Sequence, residues 1–246
     1  MTLAPPPSPA PRFDFGAESI RLDQSTAPMR LAIPDSHGAF PAESFMEPAA
    51  SMHSLMDLRP LGQIHDSFII AAGRDGLWII DQHVAHERIL FEKVLKQRAA
   101  GRVEMQQLLM PIILDVTAAQ HLQYARIADE LNAIGFDTEP FGNRTIAVKA
   151  APSSVSAGEI EKLISEILEI GEGEMRSLSM DDLRRGIAAS IACRAAIKIN
   201  TRLDQTKMDW MLTALSATDY PMACPHGRPI ALRYAMKDIL KGFHRI

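Results

Sequence analysis

The chain has 246 residues, 47% of them apolar, and carries 26 basic against 30 acidic side chains for a net charge of −4. That is enough apolar material to bury one or two cores, while no apolar run approaches the ~20 residues that a helical membrane span needs. Two cysteines are too few for a disulfide-stapled secreted scaffold and no basic-then-apolar leader opens the chain, so a cytoplasmic protein is expected, one that meets a polyanion only through a local basic patch or bound cations.

Residues 1–57 are rich in proline and hold no sustained helical or alternating pattern, which predicts a disordered tether. Order is expected from Leu58. Gln63 to Ala71 predicts a strand, Gly73-Arg74-Asp75-Gly76 a turn, and Leu77 to Asp81 the returning strand of a hairpin. A helix follows over 83–99, with Ile89, Leu90, Val94 and Leu95 as its apolar stripe and Gly101 as its stop. Ile112 to Leu114 predicts a short strand, 118–134 a helix, the segment around Gly142-Asn143 a strand pair, and 158–170 a further helix, together a βαββα unit. The acidic, glycine-rich stretch 171–174 has the composition of a hinge. Helices over 181–198 and 203–217, a strand over 230–233 and a last helix to Lys241 complete the chain.

Chemistry concentrates in two stretches. In Asp81-Gln82-His83 and the helix it opens, His83 and Glu87 are four apart and share a face, with Asp81 at the strand-to-helix corner. A divalent cation is thereby offered an imidazole and two carboxylates; a capping aspartate before a solvated helix is the plainer alternative. Far downstream, Pro225 and Gly227 shape Cys224-Pro225-His226 so that thiolate and imidazole converge. Paired C-x₂₋₄-C motifs are absent, which excludes a closed four-cysteine ribbon. The candidate ligands are therefore His83, Glu87, Cys193, Cys224 and His226, with Asp81 adjacent. Mixed nitrogen, sulfur and oxygen donors suit zinc, and the spare carboxylates leave room for Mn2+ or Mg2+, the pairing that hydrolyses phosphodiesters. Arg194 and Arg228 stand beside these ligands as phosphate-neutralising candidates. Cys193 lies in an Ala/Ile-rich helix and is also compatible with a small buried hydrophobe. His121 and His244 lack acidic or cysteine neighbours and are expected to be surface or packing residues, and Met175, Met180 and Met208 core gap-fillers.

The run Asp81 to Glu87, with Glu92 five further on, resembles the D-Q-H-A-x₂-E-x₄-E motif in the carboxy-terminal domain of MutL-family DNA mismatch repair proteins, with Val84 where the family usually has Ala. Ala192-Cys193-Arg194 is similar to the family's A-C-R motif, Cys224 to Pro229 to its C-P-H-G-R-P, and Phe243-His244-Arg245 to a looser F-x-R element. The resemblance covers about 58–246. It implies a metal-dependent nicking endonuclease, catalytic through Asp81, His83 and Glu87, with Asp81, His83, Glu87, Cys193, Cys224 and His226 as ligands to a site-organising Zn2+ and to a catalytic Mn2+ or Mg2+. Glu92, Arg194 and Arg228 would support the site or contact DNA. Gln106, Leu109 and Pro111 match, in register, a Q-x-x-[L/I]-x-P motif that binds the polymerase sliding clamp.

The implied fold is α+β and two-lobed. A dimerisation lobe with a mixed sheet would be built from 58–108 and 182–246, and an external regulatory lobe of the βαββα kind inserted over 109–181. Implied partners are a second copy of the chain, double-stranded DNA, the sliding clamp, the mismatch-recognition protein MutS and an ATPase domain whose motifs are absent here, making this a fragment or split product of a bacterial, nucleoid-associated protein. Two other readings compete: a dimerisation and clamp-docking module with a purely structural zinc, and a zinc hydrolase of a small substrate, which the lack of H-E-x-x-H disfavours.

Overall fold

A computed structural model describes residues 55–173 and 179–246. The tether expected over 1–57 lies outside them except for its last three residues, as do Glu174 and Met175. The described elements are β1 (Arg59–Ile64), β2 (Phe68–Gly73), β3 (Gly76–Asp81), α1 (Gln82–Ala99), β4 (Met105–Asp115), α2 (Ala118–Ala133), β5 (Asp137–Pro140), β6 (Thr145–Pro152), α3 (Ala157–Gly173), α4 (Met180–Ala195), α5 (Gln205–Ser216), β7 (Ala231–Ala235) and α6 (Met236–Gly242). The class is α+β, as expected.

Two sheets organise these elements, one in the order β1-β2-β3-β7 and one in the order β4-β6-β5. Every pairing in them is antiparallel, where the first was expected to be mixed. The expected strand over 63–71 is in fact two strands about a turn at His65-Asp66, both residues having positive φ. The hairpin after it turns at Arg74-Asp75, and Gly76 there has φ +148° with the carbonyl oxygen of Tyr234 2.0 Å from where a Cβ would sit. A side chain at 76 would push β7 off β3.

Both faces of the first sheet are apolar. Ile69, Ala71, Trp78 and Ile80 are buried on one face, under α1 and its neighbours. On the opposite face the register aligns Ile64 with Phe68, Ile70 with Ile79 and Leu232, and Leu77 with Tyr234, and several of these are half exposed. Strands that are apolar on both sides are the pattern of a sheet covered on both faces.

The βαββα order is realised as β4-α2-β5-β6-α3. The short strand expected at 112–114 extends back to Met105, with a break in register between Gln107 and Ile112. Residues 171–173 continue α3 rather than interrupting it. Apolar side chains of α2, β6 and α3 form one buried cluster with Phe91 and Val94 of α1 and Leu183, Ile187 and Ile191 of α4. The core therefore runs without interruption from the second sheet into the α1/α4 pair. Met208 is buried as expected, but Met180 is half exposed at the start of α4, where Ser179 caps the helix and the side chain faces solvent.

An ionic cluster reinforces this joint. Glu130 of α2 is buried and accepts from Arg98 of α1 at 2.6 and 2.8 Å and from Arg184 of α4 at 3.0 Å. Burial pushes its carboxyl up, but these two guanidinium groups outweigh that and hold it below its ordinary value. The stabilisation is thus complete above the ordinary carboxylate range and disappears as pH falls through the depressed folded value. Glu130→Gln is expected to cost about 2 kcal/mol near neutrality, moderated by the partial exposure of both arginines, and to flatten the acid limb of a denaturation-versus-pH series. An unchanged acid limb would show that the cluster contributes nothing.

Candidate metal centre

Asp81 ends β3 and caps α1, its Oδ1 accepting from the backbone N–H groups of His83 at 3.0 Å and Val84 at 3.1 Å. The capping alternative raised by the sequence is therefore real, and it employs one carboxylate oxygen. Gln82 is fully buried and donates through Nε2 to the carbonyl of Thr201 at 2.8 Å, while its Oε1 accepts from Gln63, whose own Oε1 takes the N–H of Leu203 at 2.8 Å. Two glutamines thus bind the start of α1 to the segment after α4.

Two histidines grip that same segment. His83 Nδ1 lies 2.7 Å from the carbonyl of Ile197, which can only accept, so Nδ1 is the donor here and Nε2 is the ring nitrogen left to face other groups. One turn on, His86 Nδ1 accepts from the N–H of Ile197 at 3.0 Å, which fixes the opposite tautomer. Burial, followed by His83 and Lys93, pushes the pKa of His86 down to about 4, so it stays neutral, packed edge-on against Trp210 at 5.8 Å. A ring nitrogen bound to a carbonyl is how ligand histidines are commonly oriented.

Glu87, one turn after His83, is buried and meets the loop of Cys224-Pro225-His226. That loop is closed by the Cys224 N–H to Arg228 carbonyl bond at 2.9 Å, the Gly227 N–H to Cys224 carbonyl bond at 3.0 Å and the Ala223–Pro229 bridge, with Gly227 at φ +80°. Its turn points the N–H groups of His226 and Arg228 at Cys224 Sγ, both at 3.3 Å. Burial pushes the thiol up, but the side chain of His226 and these two N–H groups outweigh it and pull it below its ordinary value. His226 Nδ1 is 3.3 Å from Glu87 Oε1, and its contacts with Cys224 and Glu87 push its pKa up to about 9.

The donor atoms of Glu87, Cys224 and His226 all lie within 4.8 Å of one another, and among the described residues this is the group of histidine, cysteine and carboxylate donors that does so. Three of the six expected ligands are brought together; Asp81, His83 and Cys193 stand outside that radius. Cys193, in the last turn of α4, is half buried, and its thiol is pushed up by burial and then by the carboxylates of Glu87 and Glu166. The donor set fits a divalent cation of the zinc type. It has one nitrogen, one sulfur and one oxygen, Cys224 is predisposed to the thiolate, and His83 Nε2 is left for coordination on the same face of α1.

The accompanying residues divide. Glu92 is buried and accepts from the N–H groups of Asp219 at 2.8 Å and Tyr220 at 3.2 Å, so it holds the approach to the Cys224 loop. Arg194 was expected to neutralise phosphate, but its guanidinium is taken by Glu166 at 2.6 Å and Glu159 at 2.8 Å, tying α4 to α3. Arg228 is exposed beside the triad. In the clamp-like segment, Gln106 turns inward to the carbonyls of Pro152 and Val155, whereas Leu109, Met110 and Pro111 stand in solvent at the register break. Gln63, Gln82, His86 and Arg88 are the site-building residues that motif spacing did not single out for a role; the last three are buried on α1 and Gln63 is half-buried on β1, and no side-chain spacing links them to their partners.

Residues 61–203 match the family described as the MutL C terminal dimerisation domain. The chain is 66% identical over 97% of its length to the DNA mismatch repair protein MutL of Solibacter usitatus, and 49% identical over 96% to that of Koribacter versatilis. A more distant relative of the same description, from Syntrophus aciditrophicus, is 34% identical over 97% of the chain. The chain spans 36 to 38% of the length of these three relatives.

Proposed function

This chain belongs to the MutL C-terminal dimerisation domain family of DNA mismatch repair proteins, and from that premise we propose that it is a metal-dependent endonuclease that nicks one strand of duplex DNA during repair, working as a homodimer. The observation that carries the reading is the convergence of Glu87, from the first motif, with Cys224 and His226, from the last, on a point where a cation fits. Glu87, Cys224 and His226 would hold a site-organising Zn2+, with His83, Cys193 and Asp81 completing the site or holding Mn2+ or Mg2+. A cation so held supplies Lewis-acid polarisation of a phosphodiester and a charge to offset the developing anion. The chain's own part is positional. The Ile197 carbonyl holds Nδ1 of His83 as its donor and leaves Nε2 as the ring nitrogen facing a cation, one oxygen of Asp81 remains beyond the one used in capping α1, and Arg228 offers a fork of donors to phosphate from the exposed rim. The test is conversion of supercoiled plasmid to open circles by the purified protein, with Mn2+ and with chelator; conversion unaffected by chelator would defeat the proposal.

The apolar outer face of the first sheet supports the homodimer, since Phe68, Leu232 and Tyr234 would otherwise remain half exposed in one patch. The sliding clamp, MutS and the family's ATPase domain are the further partners proposed, along with the division into a dimerisation lobe and an inserted lobe over 109–181. Among the described residues no helix is long and apolar enough to cross a membrane, in keeping with action on DNA in the bacterial nucleoid. For the clamp, the fully exposed Leu109 with Met110 is the contact, and Gln106 sets the strand behind it. Leu109→Ser is expected to weaken clamp binding at least tenfold by titration while changing stability by less than about 0.5 kcal/mol, since the side chain has no packing to lose. Full retention of clamp binding would remove this contact.

The dimerisation and clamp-docking module with a structural zinc is the second reading. It is favoured by the engagement of Arg194 with carboxylates, which leaves fewer groups to meet phosphate. A large loss of stability on chelation, with no nicking at any Mn2+ concentration, would select it.

A further inference from the structure

Arg88 is the residue on α1 that the motifs and the proposed chemistry leave unused. It is 6% exposed, a costly place for a permanent cation, and burial pulls its guanidinium below its ordinary range against the pull of Glu92, Cys224 and Glu87. Its one ion pair is loose, with Nη1 3.7 Å from Glu92 Oε1. Its short contact is to backbone instead: Nε donates to the carbonyl of Ala223 at 2.6 Å, in the residue immediately before Cys224. The planar group lies 5.4 Å from the ring centre of Phe91 and 5.9 Å from that of Tyr220, so an aromatic ring of α1 and one of the incoming loop both contact it. Glu92 adds two bonds to the same loop, at Asp219 and Tyr220. Helix α1 therefore fixes the segment entering the Cys224 turn at three backbone groups, while Glu87, the residue before Arg88, faces Cys224 and His226.

From this geometry we propose that Arg88 is a positioning residue for the metal centre: its bond to Ala223 and its cation–π contacts with Phe91 and Tyr220 set where Cys224 and His226 stand relative to Glu87. The inference rests on the reading of those three residues as a metal site. A lysine at 88 keeps the charge but loses both the Nε donor and the flat surface, so charge alone does not satisfy the role.

Co2+ titration of the full chain, followed by the thiolate-to-cobalt absorption band, tests it. Arg88→Lys is expected to weaken Co2+ binding about 10- to 100-fold and to alter the band, the usual effect of removing a group that orients a ligand. Arg98→Met, another largely buried arginine of α1, is expected to lower the melting temperature with no change in Co2+ affinity. Tyr220→Leu provides a second variant that cannot threaten the core, because Tyr220 is 66% exposed, and it is expected to weaken Co2+ binding by a smaller factor. If Arg88→Lys and Tyr220→Leu bind Co2+ as the parent does, with the same band, the positioning role is overturned while the metal site stands. A parent that binds no Co2+ would remove the site and this role together.

Discussion

Asp81→Asn is expected to reduce Mn2+-dependent nicking roughly a hundredfold or more, while the melting temperature stays close to that of the parent. The separation of the two effects comes from the geometry of the cap. Asp81 serves α1 through a single oxygen that accepts from His83 and Val84 N–H groups, and an asparagine carbonyl does the same with nearly equal strength. What asparagine lacks is the negative charge that a cation or a developing positive centre would use. Asp81→Ala removes cap and charge together and should add a stability loss of about 1 kcal/mol. Plasmid relaxation and thermal melts on the two variants separate these contributions. Nicking by Asp81→Asn at the parent's rate would rule out a part for this carboxylate in the chemistry.

The second large effect concerns the metal itself. Removing it from the parent with a chelator is expected to lower unfolding free energy by about 4 kcal/mol, the value for a ligand held a thousandfold above its Kd that binds only the folded chain. Cys224→Ala should lose the bound zinc equivalent and become indifferent to chelator, because the triad then offers the cation the imidazole of His226 and the carboxylate of Glu87 in place of three donors. Elemental analysis with denaturant titrations, with and without chelator, reads both. A parent that carries no zinc and melts identically in chelator would mean that the triad is an ion pair between His226 and Glu87 with a buried thiol beside it.

Much of this was legible in the order of residues. Helix α1 begins within one residue of its expected start, because an aspartate after an apolar run is a strong cap, and the βαββα order followed from the turn residues Gly142-Asn143 between two helical stretches. The turn at His65-Asp66 was hidden, since left-handed backbone there is adopted by residues other than glycine and apolar spacing continues across it. The length of β4 was hidden too. Residues 108–111 carry no alternation because they leave the ladder, and the strand resumes its partner on either side. In the site, spacing pointed to Glu87, Cys224 and His226, whose residue types announce a metal. It did not point to Arg88, Gln63 or Gln82, each of which bonds a backbone group of a distant segment that no side-chain pattern reveals. Arg194 misled for a related reason: a guanidinium beside a ligand cysteine implies phosphate only if no carboxylate reaches it first, and those of Glu159 and Glu166 come from another helix.

The antiparallel pairing of β7 with β3 has a consequence for how the protein matures on the ribosome. Arg88 and Ala223 meet across 135 positions, and the strand that seals the first sheet follows that loop, so α1 with one of the three donors emerges long before the other two can join it. During synthesis the nascent chain carries Glu87 without Cys224 or His226, and a chain released early would be unable to assemble the cluster. The order of translation thereby withholds the triad until nearly the whole polypeptide has been made.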